Sequence, residues 1–240
     1  MGIDVLLESA RVVKAMHMVP VVLAGVLVGG ASAHADIGSF NAQAFDLSGA
    51  LDRDVAPTQR ALEIAVGGGY TQGAGGAGSA GSVEDVTGPG GSLEVQVGLR
   101  TSPQFSLGAY GTLARFQRGA MMAEGSRAYA VTAGIQAAWH ARQTRSLDPW
   151  LSAGAGWRGL WLAPNDAASS SVHGVELLRV QLGVDYRITP ALAITPVVGA
   201  SASMFLVEDT AMPSELTAVH DHRLNLYGFT GILGRFDLGG

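Results

Sequence analysis

Residues 127–162 read RAYAVTAGIQAAWHARQTRSLDPWLSAGAGWRGLWL. Every second residue from Tyr129 is apolar or small: Val131, Ala133, Ile135, Ala137 and Trp139 follow it. The alternate set is Ala130, Thr132, Gly134, Gln136, Ala138 and His140. After a polar turn from Gln143 to Pro149 the alternation resumes, with Leu151, Ala153, Ala155, Trp157 and Trp161 set against Ser152, Gly154, Gly156 and Arg158. A period of two marks a strand with one apolar and one polar face, so the stretch predicts a β-hairpin. Its aromatics fall at the strand ends. Ten steps separate Tyr129 from Trp139, which at roughly 3.4 Å each and a tilt of about 40° rise roughly 26 Å along a barrel axis. That is the height of a lipid-facing band with an aromatic girdle at each interface.

Outward from this hairpin the same pattern recurs. Leu62, Ile64, Val66, Gly68 and Tyr70 form the outward side of a first strand, with Glu63, Ala65 and Gly67 facing in. Residues 71–91 are rich in Gly, Ala and Ser and read as a long loop; no Lys or helix-forming stretch follows, which argues against a phosphate-binding loop. A second strand, about Ser92 to Thr101, alternates Leu93, Val95, Val97 and Leu99 with Glu94, Gln96, Gly98 and Arg100. The third carries Phe105, Leu107, Ala109 and Leu113 on one side, and its end, Ala114 to Arg118, has no clear facing. Beyond the hairpin and a loop from Ala163 to His173, a sixth strand sets Leu178, Val180, Leu182, Val184 and Tyr186 against Arg179, Gln181, Gly183, Asp185 and Arg187. The seventh shows Leu192, Ile194, Pro196, Val198, Ala200, Ala202 and Met204, where Pro196 removes a ladder donor and counts against a regular strand, though a bulge would tolerate it. A long acidic loop, Val207 to Asp221, precedes an eighth strand from about His222 to Phe236. Long loops and tight turns alternate, so the expectation is all-β: a closed, eight-stranded, antiparallel up-and-down transmembrane β-barrel.

The totals are compatible with this. The chain has 240 residues, 34 glycines, 48% apolar and 15% charged residues, and no cysteine. Cysteine-free chemistry excludes a disulfide framework, a thiolate metal site and a lipid-bearing cysteine after a leader. The net charge of −5, with Lys14 as the only lysine, argues against nucleic-acid binding.

Arg11 and Lys14 precede an apolar run from Met18 to Val28 and the small-residue stretch Ala31 to Ala35. A basic region, a short apolar region and an A-x-A site predict a cleavable secretory signal peptide over residues 1–35. The run is too short and too glycine-rich to span a membrane comfortably. The expected organisation is therefore signal peptide 1–35, an N-terminal periplasmic tail 36–59 and a barrel 60–240.

With the apolar parity facing lipid, Glu63, Glu94, Arg100, His140, Arg158, Arg179, Asp185 and Arg187 face the lumen, together with Gln136 and Gln181. An eight-stranded barrel is just wide enough for side chains to fill. Buried charges persist when paired, so a structural salt-bridged lumen is expected rather than an ion path. Three groupings carry chemical alternatives. His140 and Asp185 share the polar parity as a base and its orienter would, yet no serine nucleophile can be placed beside them. His220-Asp221-His222 offers metal ligands two apart but no third. Ser169 to Ser171 with His173 resemble parts of a hydrolase without fixing a triad. No catalytic residue, metal or cofactor is expected.

On its strand count, loop asymmetry, leader and girdles (Phe105, Trp139 and Tyr186 at one level; Tyr70, Tyr129 and Trp161 at the other), the chain resembles the bacterial eight-stranded outer-membrane barrels of the OmpA/OmpX type over roughly Arg60 to Phe236. The resemblance implies residence in the outer membrane as a monomer, contact with its lipid and lipopolysaccharide, and assembly by the outer-membrane insertion machinery. Such barrels end on an aromatic residue; here Phe236 is followed by Asp237 to Gly240. A structural, adhesive or barrier role is the expected function, with acidic loop residues Glu84, Asp85, Glu208, Asp209 and Glu215 meeting divalent cations on lipopolysaccharide. A narrow solute channel and a lipid-modifying enzyme are the alternatives.

Overall fold

The computed structural model describes residues 55–57, 60–77, 81–141, 146–164, 169–210, 215–219 and 222–239. The predicted leader, and all of the predicted tail except 55–57, lie outside the described residues, as do His220 and Asp221.

The elements are β1 (Leu62–Gly75), α1 (Val83–Val86), β2 (Thr87–Arg100), β3 (Phe105–Arg118), β4 (Arg127–His140), β5 (Leu147–Ala163), β6 (Ser170–Thr189), β7 (Leu192–Thr210), β8 (Glu215–Ala218) and β9 (Leu224–Leu238). Strands β1 to β7 pair in sequence, each antiparallel to the next; β7 then pairs with β9, and β9 with β1, so eight strands close into a barrel. The ninth, β8, is a short return strand on the far end of β7, from Val207 to Thr210.

The apolar parity points out. Ile135 is 73% exposed, Leu93 63% and Leu182 55%. Across the wall on the other parity, Glu63, Glu94, Arg100, Arg179, Gln181 and Asp185 are buried. Hiding an aliphatic side chain from water is worth roughly 1.5–3 kcal/mol. A continuous belt of Val, Leu and Ile left outside a closed wall, with charges within, is therefore the polarity of a barrel surrounded by hydrocarbon.

Several expected boundaries are corrected. Both ends of the predicted loop 71–91 are strand: β1 runs on to Gly75 and β2 begins at Thr87. Small residues there pair in the ladder, as in Thr71↔Gly90 and Gly73↔Tyr227. Within what is left, Ser82 and Asp85 cap each other's backbone N–H groups in a capping box that starts the single turn α1. β5 starts at Leu147, inside the predicted polar turn, and β6 at Ser170, inside the predicted loop. The loop expected after Val207 contains the end of β7 and the whole of β8.

Pro196 causes no bulge. It faces Ile232 of β9 in unbroken register, while on the β6 side the ladder is interrupted between the pairs Gly183↔Val197 and Tyr186↔Ile194. A proline lacks the donor that edge of the ladder needs, and the strand tolerates the gap without shifting. The bulges lie elsewhere, one of them at Leu177, between Glu176 and Leu178. At the end of β3, Ala114 and Phe116 face in and Arg115 and Gln117 face out.

Candidate functional site

The lumen is filled by side chains in successive layers. Nearest the tight turns, Glu63 accepts a hydrogen bond from Arg100 and lies 4.0 Å from Arg235. Arg235 also lies 3.6 Å from Asp185. Asp185 accepts from Trp150 Nε1 at 2.8 Å and from Thr195 Oγ1 at 2.7 Å. Arg187 is 2.7 Å from Asp237 and 3.6 Å from Asp185. His140 Nδ1 lies 2.9 Å from Asp148. Register explains part of this arrangement. Trp150 pairs with Gly183, and a Cβ at Gly183 would collide with the indole that lies over it on the way to Asp185.

In the middle, Arg179 forms an ion pair with Glu94 at 2.7 Å, Gln181 Nε2 donates to Glu94 at 2.9 Å, and Gln136 donates to Gln96 at 2.9 Å. The Arg179 guanidinium sits 4.4 Å from the centre of the Tyr110 ring. Further toward the loops, Glu176 accepts from Arg158 at 2.6 Å and from the Tyr110 hydroxyl. Tyr110 crosses the lumen because Gly134 leaves it room: a Cβ there would stand 2.5 Å from the phenolic oxygen. Arg158 also donates to Ser201 at 2.8 Å and covers the Tyr227 ring at 3.9 Å.

Above the charges the interior turns apolar. Phe116, Leu160, Leu162, Val172, Phe205 and Tyr227 pack with Val83 and Val86 of α1 into a buried core toward the loop end. A small void near Glu63, Gln96 and Arg235 has a volume of about 20 Å³, room for a single water.

All eight residues assigned to the lumen from the sequence, Glu63, Glu94, Arg100, His140, Arg158, Arg179, Asp185 and Arg187, are buried in the barrel interior. They fall into separate clusters, and sequence reading missed a partner in several of them. Glu176 escaped because the bulge at Leu177 reverses parity; two adjacent leucines between Glu176 and Arg179 are the signal that would have exposed it. Asp148 had been placed in a turn and Asp237 beyond the last strand. Tyr110 and Arg235 lie on the inward parity of strands already identified.

The chemical alternatives take definite form. His140 bonds to Asp148 rather than Asp185. His140, Asp148 and Asp185 offer ligand atoms within 4.8 Å of one another. However, Arg235 Nη1 lies 3.4 Å from His140 Nε2 and beside Asp185, so a guanidinium holds the position a cation would take. On the outer wall, Ser171 Oγ lies 2.9 Å from His173 Nε2, and His173 stacks on Trp157. Among the described residues His173 Nδ1 has no hydrogen-bonding partner, so no carboxylate there orients the imidazole as in a hydrolytic triad. In α1, Glu84 accepts from Gly75 N and Asp85 from Ser82 N, so both carboxylates serve the local backbone.

A charge-filled, eight-stranded barrel with a closed wall and an aliphatic exterior defines the class: a transmembrane β-barrel of small bore. No protein-family profile matches the chain, and no curated protein matches it in sequence. Among solved structures it is similar to Neisserial surface protein A, with 16% identity and a TM-score of 0.45 over 73% of this chain and 97% of that one. It is also similar to OprG of Pseudomonas aeruginosa, with 10% identity and a TM-score of 0.42 over 74% and 97%. The outer membrane protein AlkL gives 12% identity and a TM-score of 0.43 over 77% and 94%.

Proposed function

We propose that the protein is a non-enzymatic outer-membrane barrel whose work is structural: a lipid-embedded platform with a closed interior that carries exposed loops, in an adhesive or barrier role. The observation that carries this reading is the lumen lined by buried, paired side chains. Charged layers cross-link the wall from within, and an apolar cluster packs with α1 toward the loop end. A conducting pore needs a continuous wet path lined by groups that ions can leave. Here Glu63, Glu94, Glu176 and Asp237 each stand beside a buried arginine.

Its partners on this reading are outer-membrane lipid, lipopolysaccharide and the insertion machinery, and the barrel acts as a monomer. The test is planar-bilayer recording of the refolded chain. A silent membrane is expected; discrete, reproducible conductance steps would contradict the proposal and favour the solute-channel alternative. The non-enzymatic part is checked by mass spectra of lipid A from cells overproducing the protein, which should match the control.

A further inference from the structure

The outer wall carries a basic groove that the structural role does not use. Register places six residues in one lateral row at the loop-side edge of the apolar band: Tyr70↔Gly91, Gly91↔Arg115, Arg115↔Tyr129, Tyr129↔Trp161 and Trp161↔Ser171. Aromatic side chains hold the interface level on β1, β4 and β5, as a girdle requires. Between Tyr70 and Tyr129 the girdle is broken. Gly91 contributes no side chain, and Arg115 projects into the gap. Arg118 and Arg127 join it around an open groove floored at Gly90 and Gly91 and walled by Tyr70.

The charges distinguish this place. Inside the barrel, Arg100, Arg158, Arg179, Arg187 and Arg235 each stand beside a carboxylate. Arg115, Arg118 and Arg127 are exposed. Among the described residues none of the three has an ion-pair partner, and no acidic residue lines the groove. Three unpaired guanidiniums in an otherwise acidic chain, just beyond the last lipid-facing leucines (Leu93 and Leu113), meet the depth at which phosphates of membrane lipids lie. Guanidinium groups match phosphate through two parallel N–H···O bonds. The exposed phenol of Tyr70 and the glycine floor leave room for a headgroup rather than for a side chain.

We infer that the Tyr70–Gly91–Arg115–Arg127 groove binds the phosphorylated headgroup of an outer-leaflet lipid, with Arg115, Arg118 and Arg127 as the phosphate ligands. The inference rests on the reading of the aliphatic belt as lipid-embedded and names a specific lipid contact for it.

The test uses the chain refolded in neutral detergent micelles, with native mass spectrometry counting the lipid A retained. Bis-phosphorylated lipid A is compared with lipid A from which both phosphates have been removed. Wild type should hold the phosphorylated form about tenfold or more tightly. Arg115→Gln with Arg127→Gln should abolish the preference. Gly91→Phe keeps every charge but fills the groove; a Cβ there meets nothing nearer than 3.9 Å, so the strand accommodates it. It should abolish the preference too. Equal retention of both lipids by wild type, or a preference that survives either variant, would overturn the inference. Displacement of bound lipid A by millimolar inorganic phosphate would assign the site to the free anion and overturn the lipid assignment. Insertion of wild type and variants into phosphatidylcholine vesicles is the control. A barrel that inserts but shows no preference removes the groove's role alone, whereas failure of wild type to insert removes the membrane reading itself.

Discussion

At the scale of single residues, Glu63 is a buried carboxylate with two arginine partners near the tight turns. It serves Arg100 directly and faces Arg235, and both guanidiniums are buried. Removing one partner of a buried ion pair costs about 3–5 kcal/mol, because the charge left behind is neither solvated nor compensated. Glu63→Ala should therefore destabilise the barrel by about that amount, read from urea unfolding in lipid vesicles. Glu84→Ala in α1, where the carboxylate accepts from Gly75 N, should cost under about 1 kcal/mol. Equal costs would mean that the interior charges are hydrated and the lumen is open. From the sequence, parity alone identified Glu63 as inward-facing. Its partners were not legible, because which arginine reaches it depends on register across β1, β2 and β9, which no local pattern encodes.

At the scale of elements, alternation carried the reading. Leu93 to Leu99, Val131 to Trp139 and Leu178 to Tyr186 face outward in the strands where period two places them. The pattern fails where the chain adds a residue or loses side chains. The bulge at Leu177 reverses the parity of Glu176, and the glycine-rich ends of β1 and β2 look like loop although they are paired strand. β8 was illegible because four residues, Glu215 to Ala218, are too short a run for their alternation to stand out from a loop. The aliphatic parity makes a depth-dependent prediction. Ile135→Arg, near the middle of β4, should cost about 2–4 kcal/mol of folding stability in lipid, while an arginine beyond Arg115 toward the loop end of β3, placed by Gln117→Arg, should cost less than about 1 kcal/mol. Folding titrations of both variants in vesicles check the gradient. A larger penalty at 117 than at 135 would put the hydrocarbon band elsewhere on the wall.

At the scale of the whole molecule, a closed eight-stranded wall has two surfaces and one choice: which surface is oily. Carboxylates and guanidiniums inside require mutual pairing, and they have it; aliphatic side chains outside require hydrocarbon. Closure, the filled lumen and the lipid contact all follow from that single choice. The chain has no cysteine, so single-cysteine variants report one position each. The most direct measurement attaches an environment-sensitive fluorophore at Val131, Thr132, Ala133, Ile135, Gln136 and Ala137 in turn, refolds each variant into vesicles, and adds lipids brominated along their acyl chains. Quenching should be strong at 131, 133, 135 and 137 and weak at 132 and 136. Uniform quenching, or strong quenching at 132 and 136 with none at 135, would contradict the account.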